Sequence, residues 1–319
     1  MAQIDLVTGG AGFIGSNLVH RLVQEGRSVR VLDNFSTGRQ ENLIPILSDI
    51  EIIEGDIRDP VALDLCTKGG VDTVFHQAAV PSVPRSIEDP VRSHETNISG
   101  TLNVLLAARD NHVRRLVFAS SSSVYGDTPV LPKHEDMPPA LLSPYALNKL
   151  AGEQYCRLFS SLYGLETISL RYFNVFGPMQ NPESEYAAVI PKFITAALQK
   201  KEPVIYGDGE QTRDFTFIEN VVHANLLAAR VSRCTGEVLN IATGERMSLN
   251  QLVSHLEDIT GNRLSPLHVE TRKGDVLHSL ADINLARSFL GYEPSVDLKT
   301  GLHQTLEWFR NRGEGNKPT

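Results

Sequence analysis

Residues 6–15 read LVTGGAGFIG: an apolar run turns through Gly9, Gly12 and Gly15, three apart, and opens into a helical pattern. A strand that passes through glycines straight into a helix brings backbone N–H groups close to a bound pyrophosphate and packs tightly on its sheet. The spacing is GxxGxxG rather than the commoner GxGxxG. A carboxylate, Asp33, ends the next apolar run, 18 residues after Gly15. An acid there accepts hydrogen bonds from the ribose hydroxyls of an adenosine and repels a 2′-phosphate. Asn34, Phe35 and Ser36 bring no cation and Arg39 stands farther on, so NAD is favoured over NADP. Gly55-Asp56-Ile57 closes a third run, where Asp56 either bonds the adenine amino group or caps its own turn.

The glycine turn is the first beat of a longer rhythm. Strand-like runs at Ile4–Thr8, Ser28–Asp33, Ile50–Glu54, 73–78, 115–120 and 167–172 alternate with helical periods at 16–24, 94–111 and 144–163. That alternation implies an α/β fold with a Rossmann-type, doubly wound parallel sheet. After Gly177 proline and glycine punctuation thickens, and helical stretches fall at 190–199, 219–230, 248–260 and 298–312. The expected division is an NAD-binding domain over 1–177, with returning segments near 215–245, and a smaller mixed α/β substrate domain over 178–319. A short strand at 238–242 is expected to rejoin the first sheet.

Composition excludes several classes. Hydrophobic residues make up 41% and charged residues 21%, which suits a globular chain. Thirty basic residues against 38 acidic ones leave a net charge of −8, unsuited to broad contact with nucleic acid or an anionic membrane. Cys66, Cys156 and Cys234 are too few and too widely spaced for a disulfide framework or zinc knuckle. The ten histidines show no HxxxH or HExxH spacing, so no metal is expected, and His76 reads as a packing residue. No apolar run approaches the roughly 18 residues of a membrane span, and the start lacks the pattern of a secretory signal. A cytoplasmic protein is the expectation.

Tyr145 and Lys149 stand at i and i+4 in a helical run, on one face. An ammonium beside a phenol favours the phenolate, and a phenol tuned towards neutral pH can exchange a proton with a sugar hydroxyl. The serines 120–123 follow a strand, at the sheet edge where such folds bind ligands.

The set TGGAGFIG, Asp33, HQAA (76–79), SSSSVYG (120–126), YxxxK and RYFNVFGP (171–178) resembles the extended short-chain dehydrogenase/reductase family. Within it, the chain is similar to UDP-hexose 4-epimerases over nearly its whole length, including PSVPRSIEDP (81–90), GDGEQTRDF (207–215) and RKGDV (272–276). The resemblance implies that Ser121, Tyr145 and Lys149 are catalytic. It implies NAD contacts at Gly9, Gly12, Phe13, Ile14, Gly15, Asp33, Asn34, Phe35, Ser36, Gly38, Asp56, Ile57, Gln77, Ala78, Ala79, Asn97, Tyr145, Lys149 and Phe173. For the nucleotide-sugar it implies Ser82, Arg85, Ser121, Ser122, Asn174, Ala188, Val189, Tyr206, Arg213, Arg272, Asp275 and Ser279. Two arginines on late loops also suit a pyrophosphate on chemical grounds, since each can give a forked, charge-assisted bond.

The implied activity is reversible C4 epimerisation of a UDP-hexose through a 4-keto intermediate, with Tyr145 exchanging the O4 proton and NAD retained because net redox is zero. Dehydratases and decarboxylases of this kind usually carry acids where Ser122 and Ser123 stand. UDP-glucuronate 4-epimerases are the nearest competitor, though they usually have Thr in place of Asn174. A catalytically silent NAD-binding scaffold is the alternative from another class. Ser279 matches a position that gates sugar size, and a small residue there admits UDP-N-acetylglucosamine/galactosamine as well as UDP-glucose/galactose. The resemblance also implies a homodimer through the segments 94–111 and 144–163, with Leu105, Leu106, Leu150 and Tyr155 as candidate contacts.

Overall fold

The structure, a computed structural model, describes residues 3–182, 188–271 and 276–314. The first six strands are β1 (Ile4–Thr8), β2 (Ser28–Asp33), β3 (Ile50–Glu54), β4 (Val71–His76), β5 (Arg115–Ser121) and β6 (Glu166–Tyr172). Later come β7 (Val175–Phe176), β8 (Val204–Tyr206), β9 (Thr212–Arg213), β10 (Thr216–Phe217), β11 (Glu237–Ile241), β12 (Met247–Ser248) and β13 (Leu267–Val269). Seven of them form one sheet in the order β11-β6-β5-β4-β1-β2-β3, every neighbouring pair parallel. The order runs outward in both directions from β1 and β4, and crevices at such a switch point are where these sheets bind ligands.

Buried strands alternate their side chains between two cores. Val7, Val31, Phe75 and Val117 face one core; Leu6, Leu32, Val74, Leu116 and Phe118 face the other. Against the first core pack α1 (Phe13–Gln24) and, farther along the chain, α8 (Ile218–Arg230). The second is covered by α2 (Pro60–Thr67), α5 (Thr101–Asp110) and α6 (Pro144–Tyr163). Short helices α3 (Val83–Glu88) and α4 (Pro90–His94) precede a π-helical turn, Glu95–Gly100, that runs into α5. The first core extends to α7 (Val189–Leu198), α9 (Leu249–Thr260), α10 (Asn284–Leu290) and α11 (Leu298–Glu314).

Local signals account for the boundaries. Ser143 caps α6 by accepting from the Ala146 N–H, Pro144 fills its first turn, and Gly164 ends it at φ 72°. Ser248 and Gln251 form a reciprocal capping box on α9. β11 does pair with β6, as the sequence leads one to expect. Two differences stand out. The fourth strand starts at Val71, because Val71 pairs with Ile4, and it stops at His76 so that Gln77 and Ala78 turn over the cleft. The helical run at 94–111 begins earlier, at Pro90, and takes a π turn that hydrophobic periodicity does not reveal.

Candidate active site

A cleft of about 450 Å3 opens at the C-terminal ends of β1, β2, β4 and β5. Its floor is the glycine turn. Gly9 lies at φ +70°, and a Cβ there would sit 2.7 Å from the Ala78 backbone; one on Gly15 would sit 2.1 Å from the Gly9 carbonyl oxygen. Glycine is thus forced by the crossing of turn, strand and helix. The helix that follows, α1, has neither a capping side chain nor an acid in its first turn, so its N–H groups face the cleft with the positive end of the helix dipole.

At one end of the cleft stands the Asp33 carboxylate. It accepts from the Ala11 N–H (2.9 Å) and the Phe35 N–H (2.8 Å), which fixes the loop after β2. Burial pushes its pKa up, and the two N–H bonds oppose that. Asn34, Ser36 and Gly38 line the same end, whereas Phe35, at φ +53°, turns its ring onto the core. Asp56 lines it too, yet its carboxylate is occupied: Arg58 donates from N, Nε and Nη2 and Asn34 from Nδ2. Those four bonds occupy the carboxylate's acceptor sites and tie Asp56 to its own turn and to Arg58. Arg58 holds its pKa down at about 2.

At the other end α6 lays Tyr145 and Lys149 against the tip of β5. The Lys149 Nζ donates to the Ala119 carbonyl at 2.8 Å and lies 5.7 Å from the centre of the Tyr145 ring. Ser121 accepts from the Ser123 N–H and hydrogen-bonds Tyr145. The tuning differs from the sequence expectation. Burial pushes the Tyr145 phenol up to about 12, with the Ser121 bond opposing, and pulls Lys149 down to about 8, with Glu153 opposing. Desolvation of both groups outweighs the ammonium's pull on the phenol. His76 is buried between the hydroxyls of Thr8 and Thr101, and burial pulls it down to about 3, so it packs as a neutral ring.

The remaining residues divide. Phe13, Ile14, Ile57, Gln77, Ala78 and Ala79 line the cleft, as do Ser82, Arg85 and Ala188. Asn97 instead clamps Val80, accepting from its N–H and donating to its carbonyl, and Phe173 is buried beneath the site against Tyr125. Ser82 has φ +97°, and its hydroxyl is buried with no partner among the described residues. Strained backbone and unpartnered buried hydroxyls of this kind cluster at ligand sites. Asn174 donates to the Asp214 carbonyl and to the Ser279 hydroxyl, and Arg213 donates to the Thr212 and Leu277 carbonyls. Tyr206 lines a separate recess of about 230 Å3 with Gln211, Leu277 and His278. Ser122 lies in the 3-10 turn after β5 and Val189 opens α7. Arg272 and Asp275 lie outside the described residues.

Sequence reasoning missed Arg39, Arg58, Arg92, Met179 and Gln180, which also line the cleft. Arg58 was signalled by its place two residues after Asp56. Met179 and Gln180 follow Gly177-Pro178, which marks a turn and nothing about what the turn faces. The bare helix end, the glycine cradle and the Asp33 carboxylate fit a dinucleotide. They are joined along one cleft to a phenol and an ammonium.

Known proteins are similar to this chain in sequence and fold over nearly its whole length. The chain is 41% identical over 307 residues to a putative UDP-glucose 4-epimerase of Methanocaldococcus jannaschii, covering 96% of this chain and 98% of that one. It superposes with a TM-score of 0.93 on the UDP-N-acetylglucosamine 4-epimerase of Methanobrevibacter ruminantium M1, solved in complex with UDP-N-acetylmuramic acid (40% identity, covering 98% and 99% of the two chains). The TM-score is also 0.93 with the UDP-glucose 4-epimerase of Thermotoga maritima, solved with UDP-glucose (39% identity, 97% and 99%). Residues 6–242 match the NAD dependent epimerase/dehydratase family, and this chain, with that cleft and that strand order, belongs to it and takes NAD as its cofactor.

Proposed function

We propose that the chain catalyses reversible epimerisation at C4 of a UDP-hexose, acting on the UDP-N-acetylglucosamine/galactosamine pair and on UDP-glucose/galactose. The observation that carries this reading is the approach of Tyr145, Lys149 and Ser121 at the end of a cleft whose floor is a dinucleotide turn. NAD, when bound by Asp33, the turn at Gly9–Gly15 and Lys149, supplies a reversible acceptor for the C4 hydrogen and a positive charge beside Tyr145. Tyr145 then takes the O4 proton, and Ser121 holds the same oxygen in line with it. Lys149, fixed on the Ala119 carbonyl, stabilises the phenolate. Asn174 and Arg213, with Arg272 and Asp275, hold the uridine diphosphate, while Ser82 and Arg85 face the sugar. Among the described residues lining the cleft the only carboxylates are Asp33, at the end of β2, and Asp56, in the turn after β3. An elimination or decarboxylation lacks its acid there.

The substrate half is mainly residues 178–319, apart from the segments near 215–245 that return to the sheet as α8 and β11. Ser279 bears on sugar size, since its small side chain is tied to Asn174. Two copies associate through α6, which exposes Leu147, Leu158 and Leu162, whereas Leu105 is core. Sedimentation at a dimer's mass supports this, and a monomer at micromolar concentration contradicts it. Among the described residues no helix is long and apolar enough to cross a membrane.

The experiment incubates the purified protein, without added cofactor, with UDP-N-acetylglucosamine, UDP-galactose and UDP-glucuronate in turn. Interconverted C4 epimers of the first two support the reading. Accumulated NADH, a deoxy-keto sugar or turnover of UDP-glucuronate alone contradicts it, and no change at all indicates a silent scaffold. Ser279→Tyr should cut kcat/KM for the acetylated sugar about tenfold more than for UDP-galactose. Equal losses would remove Ser279 from that role.

A further inference from the structure

Behind the catalytic pair lies a buried charge that the chemistry above does not use. Tyr145, Lys149 and Glu153 are spaced four apart on α6 and form one stripe. Each meets the tip of β5: Tyr145 at the Ser121 hydroxyl, Lys149 at the Ala119 carbonyl, and Glu153 at the Ser120 hydroxyl, which donates to its Oε1. Glu153 is fully buried and Arg171 nearly so. Arg171 lies directly across from Ser120 in the register of β5 and β6. It grips Glu153 with two bonds, Nε to Oε1 and Nη2 to Oε2, both 2.8 Å. Its remaining nitrogen, Nη1, donates to the Tyr125 hydroxyl at 2.8 Å, and that hydroxyl donates to Asn240 Oδ1 on β11 at 2.7 Å.

We infer that Glu153 is a positioning residue for the epimerisation proposed above, on which this inference rests: it is the third rung between α6 and β5, and its charge and its grip on Ser120 hold the Lys149 ammonium and the Ser121 hydroxyl in register. Two observations set it apart from an ion pair that serves stability alone. Ser120, which Glu153 holds, forms part of the cleft wall beside Tyr145 and Lys149. A buried pair also loses much of its attraction to desolvation, so apolar residues of the same size would serve the core as well. The titratable groups facing Lys149 are few: the neutral phenol of Tyr145 and the Glu153 carboxylate on its own helix, neutral His76 at the end of β4, and Arg171 of β6 behind Glu153. Glu153 is therefore the anion that keeps Lys149 protonated in a site whose burial works against it.

The test is Glu153→Gln in the NAD-loaded protein. kcat should fall tenfold to a hundredfold with KM for the UDP-sugar within about twofold. The limb of the kcat profile lost as pH rises should move down by about one unit. Glu153→Asp, which keeps the charge, should restore the profile while kcat stays low. A fall in kcat with the profile unmoved, or wild-type values throughout, would overturn the inference. Should the single variant not fold, Glu153→Gln with Arg171→Met removes the stranded cation, and the same displacement is expected. An NMR titration of 15N-labelled lysines, with Lys149→Met to assign the signal, reads Lys149 without any turnover. A lowered Lys149 titration in an enzyme inactive on every UDP-sugar would sustain this inference while the epimerase reading fails; an unmoved one would reject it.

Discussion

The two ends of the cleft hold their ionisable groups in opposite ways. At the adenosine end Asp33 and Asp56 are tied down by N–H donors and a guanidinium, and the Asp56 carboxylate is kept in its charged form. At the catalytic end burial dominates, so Tyr145 is held as a neutral phenol and the Lys149 ammonium is weakened. One end is finished before any ligand arrives. The other holds its phenol neutral despite the Lys149 ammonium, and a bound oxidised nicotinamide would add a second positive charge there.

The largest effect expected is at the unfinished end. Tyr145→Phe should lower kcat by about 10³-fold while NAD still copurifies, measured as nucleotide released on denaturation. Retained epimerisation would take Tyr145 out of the role. Lys149→Met should cost about 10²-fold and weaken NAD retention, because Lys149 both lines the cleft and backs the phenol. In the unmodified protein the ammonium form is present below about pH 8 and is lost above it, so without cofactor the Lys149 signal should titrate near that pH. At the finished end the effects shrink. Asp33→Asn should weaken NAD binding about tenfold and narrow its preference over NADP, read by isothermal titration. Asp56→Asn should cost about 1 kcal/mol of stability at pH 7 after allowance for solvent screening. The sign follows from a folded pKa near 2 against an ordinary 3.8: the contribution is present above about pH 4 and is lost as pH falls through about 2. A chemical-denaturation gap between wild type and variant that persists at pH 2 would contradict this.

The finished end was also the more readable one. β1, β2 and β3 fall where the apolar runs place them, although only β1 and β2 are buried along most of their length and β3, at the sheet edge, is partly buried. α6 was legible to the residue, since Ser143, Pro144 and Gly164 state its start and stop. Motif spacing named Asp33, Tyr145 and Lys149 as candidates for the cleft they line. Spacing does not give direction. Nothing in the sequence says that Asn97 turns to Val80 or that Arg171 reaches Glu153 from the neighbouring strand. The neutral state of Tyr145 without a cofactor is hidden for a related reason: proximity of Lys149 is visible in YxxxK, whereas the desolvation of both groups depends on tertiary packing.

The decisive measurement is a spectrophotometric titration of tyrosinate in the protein stripped of nucleotide and in the same protein reloaded with NAD, with Tyr145→Phe as the blank for each. The Tyr145 signal should stay silent past pH 10 in the stripped form and emerge several pH units lower in the reloaded one. Superimposable curves, at either extreme, would show that the cofactor's charge does not tune this phenol.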